Sequence, residues 1–153
     1  MSTLIILTST IDTGEIAGLV EISMEEPNGK LAPPLQSFKG FPPKSAQPYL
    51  CNLAVRKSCR QQGLGSILCE LCEHIVLTYW KRSKLYLHVM NDNIAAQSLY
   101  RRLGYNLARF GIPSWERKIL GLDDLIYYSK DITIGTTPGS DSSAEVGYPN
   151  FLI

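Results

Sequence analysis

The chain has 153 residues, the size of one domain with a substantial core. Fifteen basic and fourteen acidic residues give a net charge of +1, so no broad electrostatic field favours nucleic acid or an anionic membrane. The first residues, MSTLIILTST, contain an apolar run too short to span a membrane and lack the basic flank of a signal sequence. We therefore expect one domain over residues 1–133 that binds neither nucleic acid nor a membrane.

The first elements along the chain form a predicted β-hairpin. Leu4 to Thr10 and Glu15 to Met24 are rich in β-branched and apolar residues, and the turn signal Asp12-Thr13-Gly14 separates them. From residue 25 to 48 the composition shifts to proline and glycine, which forbid a long regular element. We expect a loop there.

A strand–helix–strand–helix unit follows. Tyr49 to Val55 predicts a strand, and the apolar spacing from Leu64 to Trp80 predicts a helix. Leu85 to Met90 predicts a second strand, and Asn93 to Leu103 a second helix that ends at Gly104. Because a helix joins the two strands, we expect them to be parallel neighbours with a right-handed crossover.

Two final strands, Tyr105 to Phe110 and Leu125 to Ile132, complete the predicted sheet. The fold class is α/β (α+β): a mixed sheet with an N-terminal hairpin, a central parallel βαβα unit and a C-terminal strand pair. Residues 134–153 are rich in Gly, Ser, Thr and Pro, so we expect a disordered tail and assign it no function.

The four cysteines raise the question of a metal site, because Cys69 and Cys72 have the two-residue gap of zinc and redox motifs. The pair falls inside a helical pattern without a second such pair or a matching histidine. We interpret these cysteines as buried or half-buried thiols and expect no metal. Reduced thiols without a visible signal peptide favour a cytoplasmic compartment.

The stretch CRQQGLGSIL, residues 59–68, places two glycines between a predicted strand and a predicted helix. The first N–H groups of a helix have no partners within the helix and carry the positive end of its dipole, so an anion fits there. Glycine lets the backbone approach that anion closely, which indicates a phosphate site. A purely steric role for the glycines remains the alternative, and the pattern matches neither the dinucleotide GxGxxG nor the P-loop motif.

Two motifs in order resemble those of the GNAT acetyltransferases. Arg60-Gln-Gln-Gly63-Leu-Gly65 resembles the (Q/R)xxGx(G/A) signature, and Asn93 to Tyr105 resembles the NxxAxxLYxxxGF segment. YLCNLAV and YLHVMNDN look similar to N-terminal acetyltransferases of the NatE type and to their cyanobacterial and plastid relatives. The resemblance covers roughly Gly18 to Ile132 and is most specific from Tyr49 to Tyr105.

The resemblance implies acetyl-CoA as the co-substrate. It implies that N–H groups from Gln61 to Ser66 hold the pyrophosphate, beside Arg60. It also implies that Leu53 and Val55 offer backbone groups to the pantetheine arm, and that Asn93 bonds to the cofactor or braces the site. The implied cofactor-binding residues are Leu53, Val55, Arg60, Gln61, Gln62, Gly63, Leu64, Gly65, Ser66, Asn93 and Tyr100.

The reaction needs a neutral amine, a donor to the carbonyl oxygen and a proton for the leaving thiolate. The resemblance implies that Tyr49 and His88 position a water molecule that relays the proton of the amine. Neutral imidazole is available at physiological pH, although a histidine in the core with one hydrogen bond is the structural alternative. Tyr100 is the expected acid for the thiolate, with an aromatic core residue as its alternative. His74 has no motif, and we expect it to be solvated.

The resemblance also defines the alternatives. Family members begin with a strand and two helices before the hairpin, whereas the resemblance in this chain starts at the hairpin. We expect either that the chain is truncated at its N-terminus or an alternative product, or that the 25–48 loop and the 105–125 segment build the acceptor groove themselves. The leading hypothesis is acetyl transfer to a protein N-terminus or a lysine ε-amine by a monomer or homodimer. The alternatives are an acyl-CoA-binding module without activity and a small-molecule amine acetyltransferase. A plastid location applies if a transit segment precedes this chain.

Overall fold

The computed structural model describes residues 3–10, 13–25, 46–108, 118–119 and 124–133. Within them a six-stranded mixed sheet has the order β1-β2-β3-β4-β6-β5. The strands are β1 Thr3–Ser9, β2 Ile16–Glu25, β3 Gln47–Val55, β4 Lys84–Met90, β5 Asn106–Leu107 and β6 Leu125–Asp131, and the helices are α1 Leu64–Thr78 and α2 Ile94–Arg102. The predicted α/β fold class is confirmed.

The N-terminal hairpin is confirmed as well. β1 and β2 are antiparallel, and the Thr10 amide donates to the Glu15 carbonyl at 2.8 Å to close the connection. Gly14 has a φ of 67°, a left-handed conformation that side chains with a Cβ disfavour. The turn residues read from the sequence therefore mark the real end of the first strand.

β3 and β4 are parallel neighbours that soon separate. Their pairing comprises Tyr49 with Tyr86 and Leu50 with Leu87. Beyond Leu50, β3 continues for five residues to Val55 beside β2 alone, and β4 continues to Met90 beside β6. A cleft therefore opens between two central strands at the end where α1 and α2 begin.

A bulge in β3 lies at the start of this divergence. Between the pairs Glu21–Cys51 and Leu19–Ala54, one residue of β2, Val20, opposes two residues of β3, Asn52 and Leu53. Asn52 takes up the extra length with a φ of 52°. Before the bulge, Tyr49 and Cys51 face one side of the sheet, and after it Leu53 and Val55 pack on the other side.

Both helices cover one face of the sheet, because each presents an apolar stripe to it. The main core there comprises Val20, Ile22, Leu50, Leu68, Cys69, Cys72, Val76, Leu85, Leu87, Val89, Tyr100, Tyr105, Tyr128 and Ile132. We call this the helix face. The opposite side, which we call the open face, carries the buried pair Tyr49 and Tyr86 with Cys51 against them.

The ends of the predicted elements agree with the structure to within two residues, except those of β5. α1 ends two residues earlier than predicted, and β5 covers Asn106–Leu107 instead of Tyr105 to Phe110. Most of the predicted 25–48 loop, most of the 105–125 segment and the 134–153 tail lie outside the described residues. In the described ranges no helix combines the length and apolarity needed to cross a membrane.

Candidate active site

The start of α1 presents backbone N–H groups at the mouth of the cleft. Gly63 is the N-cap, no side chain caps the helix, and its first turn contains no acidic residue. The first amides of the helix to find an acceptor are those of Ser66 and Ile67, which both donate to the Gly63 carbonyl, at 2.9 and 3.1 Å. The amides just before them point toward the helix mouth, the positive end of the helix dipole. This arrangement suits a phosphate group.

The two glycines of this loop have different roles. Gly63 has a φ of 83°, and an added Cβ would meet nothing within 4 Å, so the backbone conformation alone requires glycine. Gly65 has no such φ, but an added Cβ would lie 3.3 Å from Cδ2 of Leu99. Gly65 therefore lets α1 approach α2 closely, which is the steric role. The left-handed backbone of Gly63 shapes the loop at the helix mouth, as the anion-binding interpretation requires.

Arg60 links the end of β3 to this loop. Its Nε donates to the Val55 carbonyl at 3.0 Å, and Gln62 donates to the Ser58 carbonyl at 3.2 Å. The carbonyl of Val55 is therefore already bonded to Arg60, whereas Leu53 lies between the bulge and that bond.

On the open face, Tyr49 and His88 meet. The Tyr49 hydroxyl lies 2.5 Å from Nδ1 of His88, and the two rings are tilted with centroids 5.8 Å apart. Tyr49 belongs to the first of the two residue pairs that join β3 and β4, and His88 lies on β4 one residue beyond the second pair. The family resemblance implied that these two residues act together, and the structure brings them into a hydrogen bond beside the opening of the cleft.

Burial favours the neutral forms of both Tyr49 and His88. Burial raises the pKa of Tyr49 far above 10, and the neighbouring Tyr127, Cys51 and Glu25 raise it further. Burial lowers the pKa of His88 below its ordinary 6.5. At neutral pH the pair is therefore a phenol and an uncharged imidazole, and the hydrogen bond can run from either partner.

Tyr100 lies on the helix face, away from this pair. Its ring packs against Tyr105 and Tyr128 with centroids 5.7 and 6.3 Å apart. Burial raises the pKa of Tyr100 well above 10, so its hydroxyl stays protonated. Tyr100 is therefore an aromatic residue of the core, which was the alternative to a role as the acid. It also keeps a protonated hydroxyl group, which the acid role requires.

Asn93 and the cysteines have clear structural roles. The Asn93 side chain accepts from the Ala96 amide at 3.1 Å and so caps α2, which supports bracing of the site.

Cys69 and Cys72 are free and fully buried, which confirms the thiol interpretation. Burial raises the pKa of Cys51 to about 11, so this half-buried thiol is not a thiolate at neutral pH. His74 is exposed, as expected.

Four polar or aromatic residues of the open face were not predicted from the sequence. Glu21, Ser23 and Glu25 alternate along β2 and pair with Cys51, Tyr49 and Gln47 across the sheet. Tyr127 of β6 pairs with His88, with ring centroids 5.7 Å apart. The period-two spacing of Glu21, Ser23 and Glu25 was a visible signal, but only the register with β3 shows which residues they face. No group of three or more His, Cys, Asp or Glu residues that could hold a metal occurs in the described ranges.

Comparison with known proteins agrees with this geometry. The model of the acetyltransferase (GNAT) family matches residues 3–105. GCN5-related N-acetyltransferases 5 and 10, both chloroplastic, from Arabidopsis thaliana are 29% and 28% identical over 64% and 80% of this chain. The chain spans only 30% and 44% of their lengths. A Bacillus anthracis acetyltransferase in complex with acetyl coenzyme A superposes with a TM-score of 0.62 at 18% identity, covering 87% of this chain and 64% of that one.

Proposed function

The chain belongs to the acetyltransferase (GNAT) family, and we propose that it transfers the acetyl group of acetyl-CoA to a primary amine. The proposed acceptor is a protein N-terminus or a lysine ε-amine. The observation that carries the proposal is the hydrogen bond between Tyr49 and His88 beside the cleft between β3 and β4.

The donor would bind along the cleft. The amides from Gln61 to Gly65 would hold the pyrophosphate, because they lie at the helix mouth, which no side chain caps. The Ser66 amide, which the resemblance also implies for this site, already donates to the Gly63 carbonyl. The Arg60 guanidinium, fixed through Nε to the Val55 carbonyl, would add positive charge. The pantetheine arm would lie along Leu53, where β3 has left β4. Acetyl-CoA supplies the activated thioester, and these residues bind and orient it.

The pair on the open face would accept the proton of the amine. As the amine nitrogen bonds to the thioester carbon, a bridging water would take the proton from nitrogen and pass one to the pair. The pair can accept at either end: at Nε2 of His88, or at the Tyr49 oxygen while the tyrosine proton moves to Nδ1. Since burial lowers the pKa of His88, the imidazole is neutral and ready to accept at neutral pH.

The carbon–sulfur bond then breaks, and the leaving thiolate needs a donor. We assign this role to the Tyr100 hydroxyl, on the helix face of the sheet. Because burial keeps Tyr100 protonated, it would stabilise the thiolate through a hydrogen bond, and proton transfer would follow from the relay or from solvent. The products are an amide and free CoA.

The chloroplastic names of the two curated relatives support a plastid location for this chain, in preference to the cytoplasmic one expected from cysteine usage alone. We propose the plastid as the compartment and peptide amines within it as acceptors.

The decisive experiment is an acceptor screen with labelled acetyl-CoA. It would compare peptides that have a free N-terminus, peptides with a blocked N-terminus and a free lysine, and small amines such as polyamines and amino sugars. Transfer to either peptide class at a rate that His88→Ala abolishes supports the proposal. Transfer confined to small amines would overturn the acceptor class. Binding of acetyl-CoA without transfer to any amine would overturn the proposed activity and favour the alternative of an acyl-CoA-binding module.

A further inference from the structure

Gln97 of α2 is a buried polar side chain that the motifs do not explain. It is 4% exposed, although its neighbours on the buried side of the helix are apolar. A buried amide needs hydrogen-bond partners, and Gln97 has them at both ends. Its Nε2 donates to the Asn91 carbonyl at 2.8 Å and, at 3.5 Å, to the Met90 carbonyl. Its Oε1 accepts from Nη2 of Arg101 at 3.1 Å.

These contacts fasten the end of β4 to α2. Met90 is the last residue of β4, and Asn91 begins the connection to the helix. The Asn91 amide also donates to the Asp124 carbonyl at 2.7 Å, just before β6. The amide and carbonyl groups of Asn91 thus connect the end of β4 to α2 and to the residue before β6. Arg101 orients the amide so that its N–H groups, and not its oxygen, face the two carbonyls.

The elements joined are those that carry the proposed reacting groups. His88 precedes Met90 by two residues on β4, and Tyr100 follows Gln97 by three residues, one turn further along α2. The two side chains lie on opposite faces of the sheet, so no direct contact between them can set their separation. The Gln97 side chain instead provides a hydrogen-bonded link between the end of β4 and α2.

We infer that Gln97 is a positioning residue, and this inference rests on the proposed function. Gln97 holds β4, which carries the base His88, and α2, which carries the Tyr100 hydroxyl that donates to the thiolate, in the relative position that the reaction needs. The pyrophosphate site belongs to α1 and does not depend on this link. Loss of the Gln97 contacts should therefore slow acetyl transfer and leave acetyl-CoA affinity nearly intact.

The test uses two substitutions of similar length. Gln97→Glu keeps the shape, but its carboxylate oxygens accept hydrogen bonds and so cannot donate to the two carbonyl groups. Gln97→Met keeps the volume without any hydrogen bond. We expect kcat to fall roughly 10- to 100-fold in both, the size of effect that small misplacements cause. The dissociation constant for acetyl-CoA, measured by titration calorimetry, should stay within about threefold of wild type. Arg101→Met should have the same effect at a smaller size.

Ser98→Ala is the matched control, because Ser98 is the exposed neighbour on the same helix and its change should leave kcat unaltered. All rates are measured well below the lowest melting temperature and are divided by the folded fraction. Gln97 variants with wild-type kcat per folded molecule would overturn the inference and leave the proposed function standing. Absence of transfer by the wild-type chain would overturn both.

Discussion

The Tyr49 hydroxyl and Nδ1 of His88 lie 2.5 Å apart, although 39 residues separate them along the chain. Parallel pairing of β3 and β4 lasts for two residue pairs, and Tyr49 belongs to the first of them. The contact therefore depends on the short zone where these strands run together, immediately before they part to form the cleft.

Removing either member of this pair should slow catalysis without loss of donor binding. His88→Ala and Tyr49→Phe each remove a proton acceptor or its relay, so kcat should fall roughly 10²- to 10⁴-fold. Acetyl-CoA affinity, measured by calorimetry, should be unchanged because the helix mouth is intact. His74→Ala, on the exposed side of α1, is the control. Full activity in His88→Ala would exclude the histidine as the base.

The pH dependence of kcat should reflect the lowered pKa of His88. The base acts when neutral, and burial keeps it neutral to a lower pH than free histidine, whose pKa is 6.5. At saturating substrates, kcat should therefore stay level as the pH falls from 8 to about 6.5 and decrease only below that value. A half-maximal kcat clearly above pH 6.5 would contradict this assignment.

Gly63→Ala should weaken acetyl-CoA binding through the backbone. A left-handed conformation costs a residue with a Cβ about 1–2 kcal/mol, and relief of that strain would turn the amides at the helix mouth away from the ligand. Gly14→Ala is a close control, since Gly14 has a φ of 67° and, like Gly63, nothing within 4 Å of an added Cβ. Both variants should lose similar stability in urea denaturation. Equal acetyl-CoA affinities in the two variants would show that the Gly63 loop does not bind the donor.

The ion pair between Glu73 of α1 and Lys130 of β6 should matter for stability. Nζ of Lys130 lies 2.6 Å from Oε2 of Glu73, whose side chain is 11% exposed. Lys130→Met would leave a nearly buried carboxylate without its cation, at a cost of about 3 kcal/mol in the free energy of unfolding. Adding Glu73→Gln should recover part of that loss.

The matched comparison is the exposed pair between Lys84 and Asp131, at 3.3 Å with side chains 39% and 78% exposed. Lys84→Met should change the free energy of unfolding by less than about 1 kcal/mol. Equal losses in Lys84→Met and Lys130→Met would show that burial does not strengthen the Glu73 pair.

Local chemistry made the elements predictable. Apolar spacing predicted α1 to within two residues at its end, and Gly14 and Gly104, both at positive φ, were read correctly as breaks. The pairing of Tyr49 with His88 came from the family resemblance, because nothing in their separate surroundings in sequence joins them.

Properties that depend on strand register were not predictable. The positions of Glu21 and Ser23 relative to Tyr49 follow from how β2 aligns with β3, and the bulge changes that alignment by one residue. The side of the sheet on which Tyr100 lies depends on how α2 packs. The burial of Gln97 depends on carbonyl groups at the end of β4, which no side-chain pattern reveals.

The bulge at Asn52 lets odd-numbered residues of one strand serve both faces of the sheet. Tyr49 and Cys51 lie on the open face before it, and Leu53 and Val55 pack on the helix face after it. Deleting Asn52 would restore uniform alternation and keep Leu53 and Val55 on the helix face, so the core should survive. The local bend and added twist of a bulge would be lost, and with them the geometry of β3 at the point where the cleft opens.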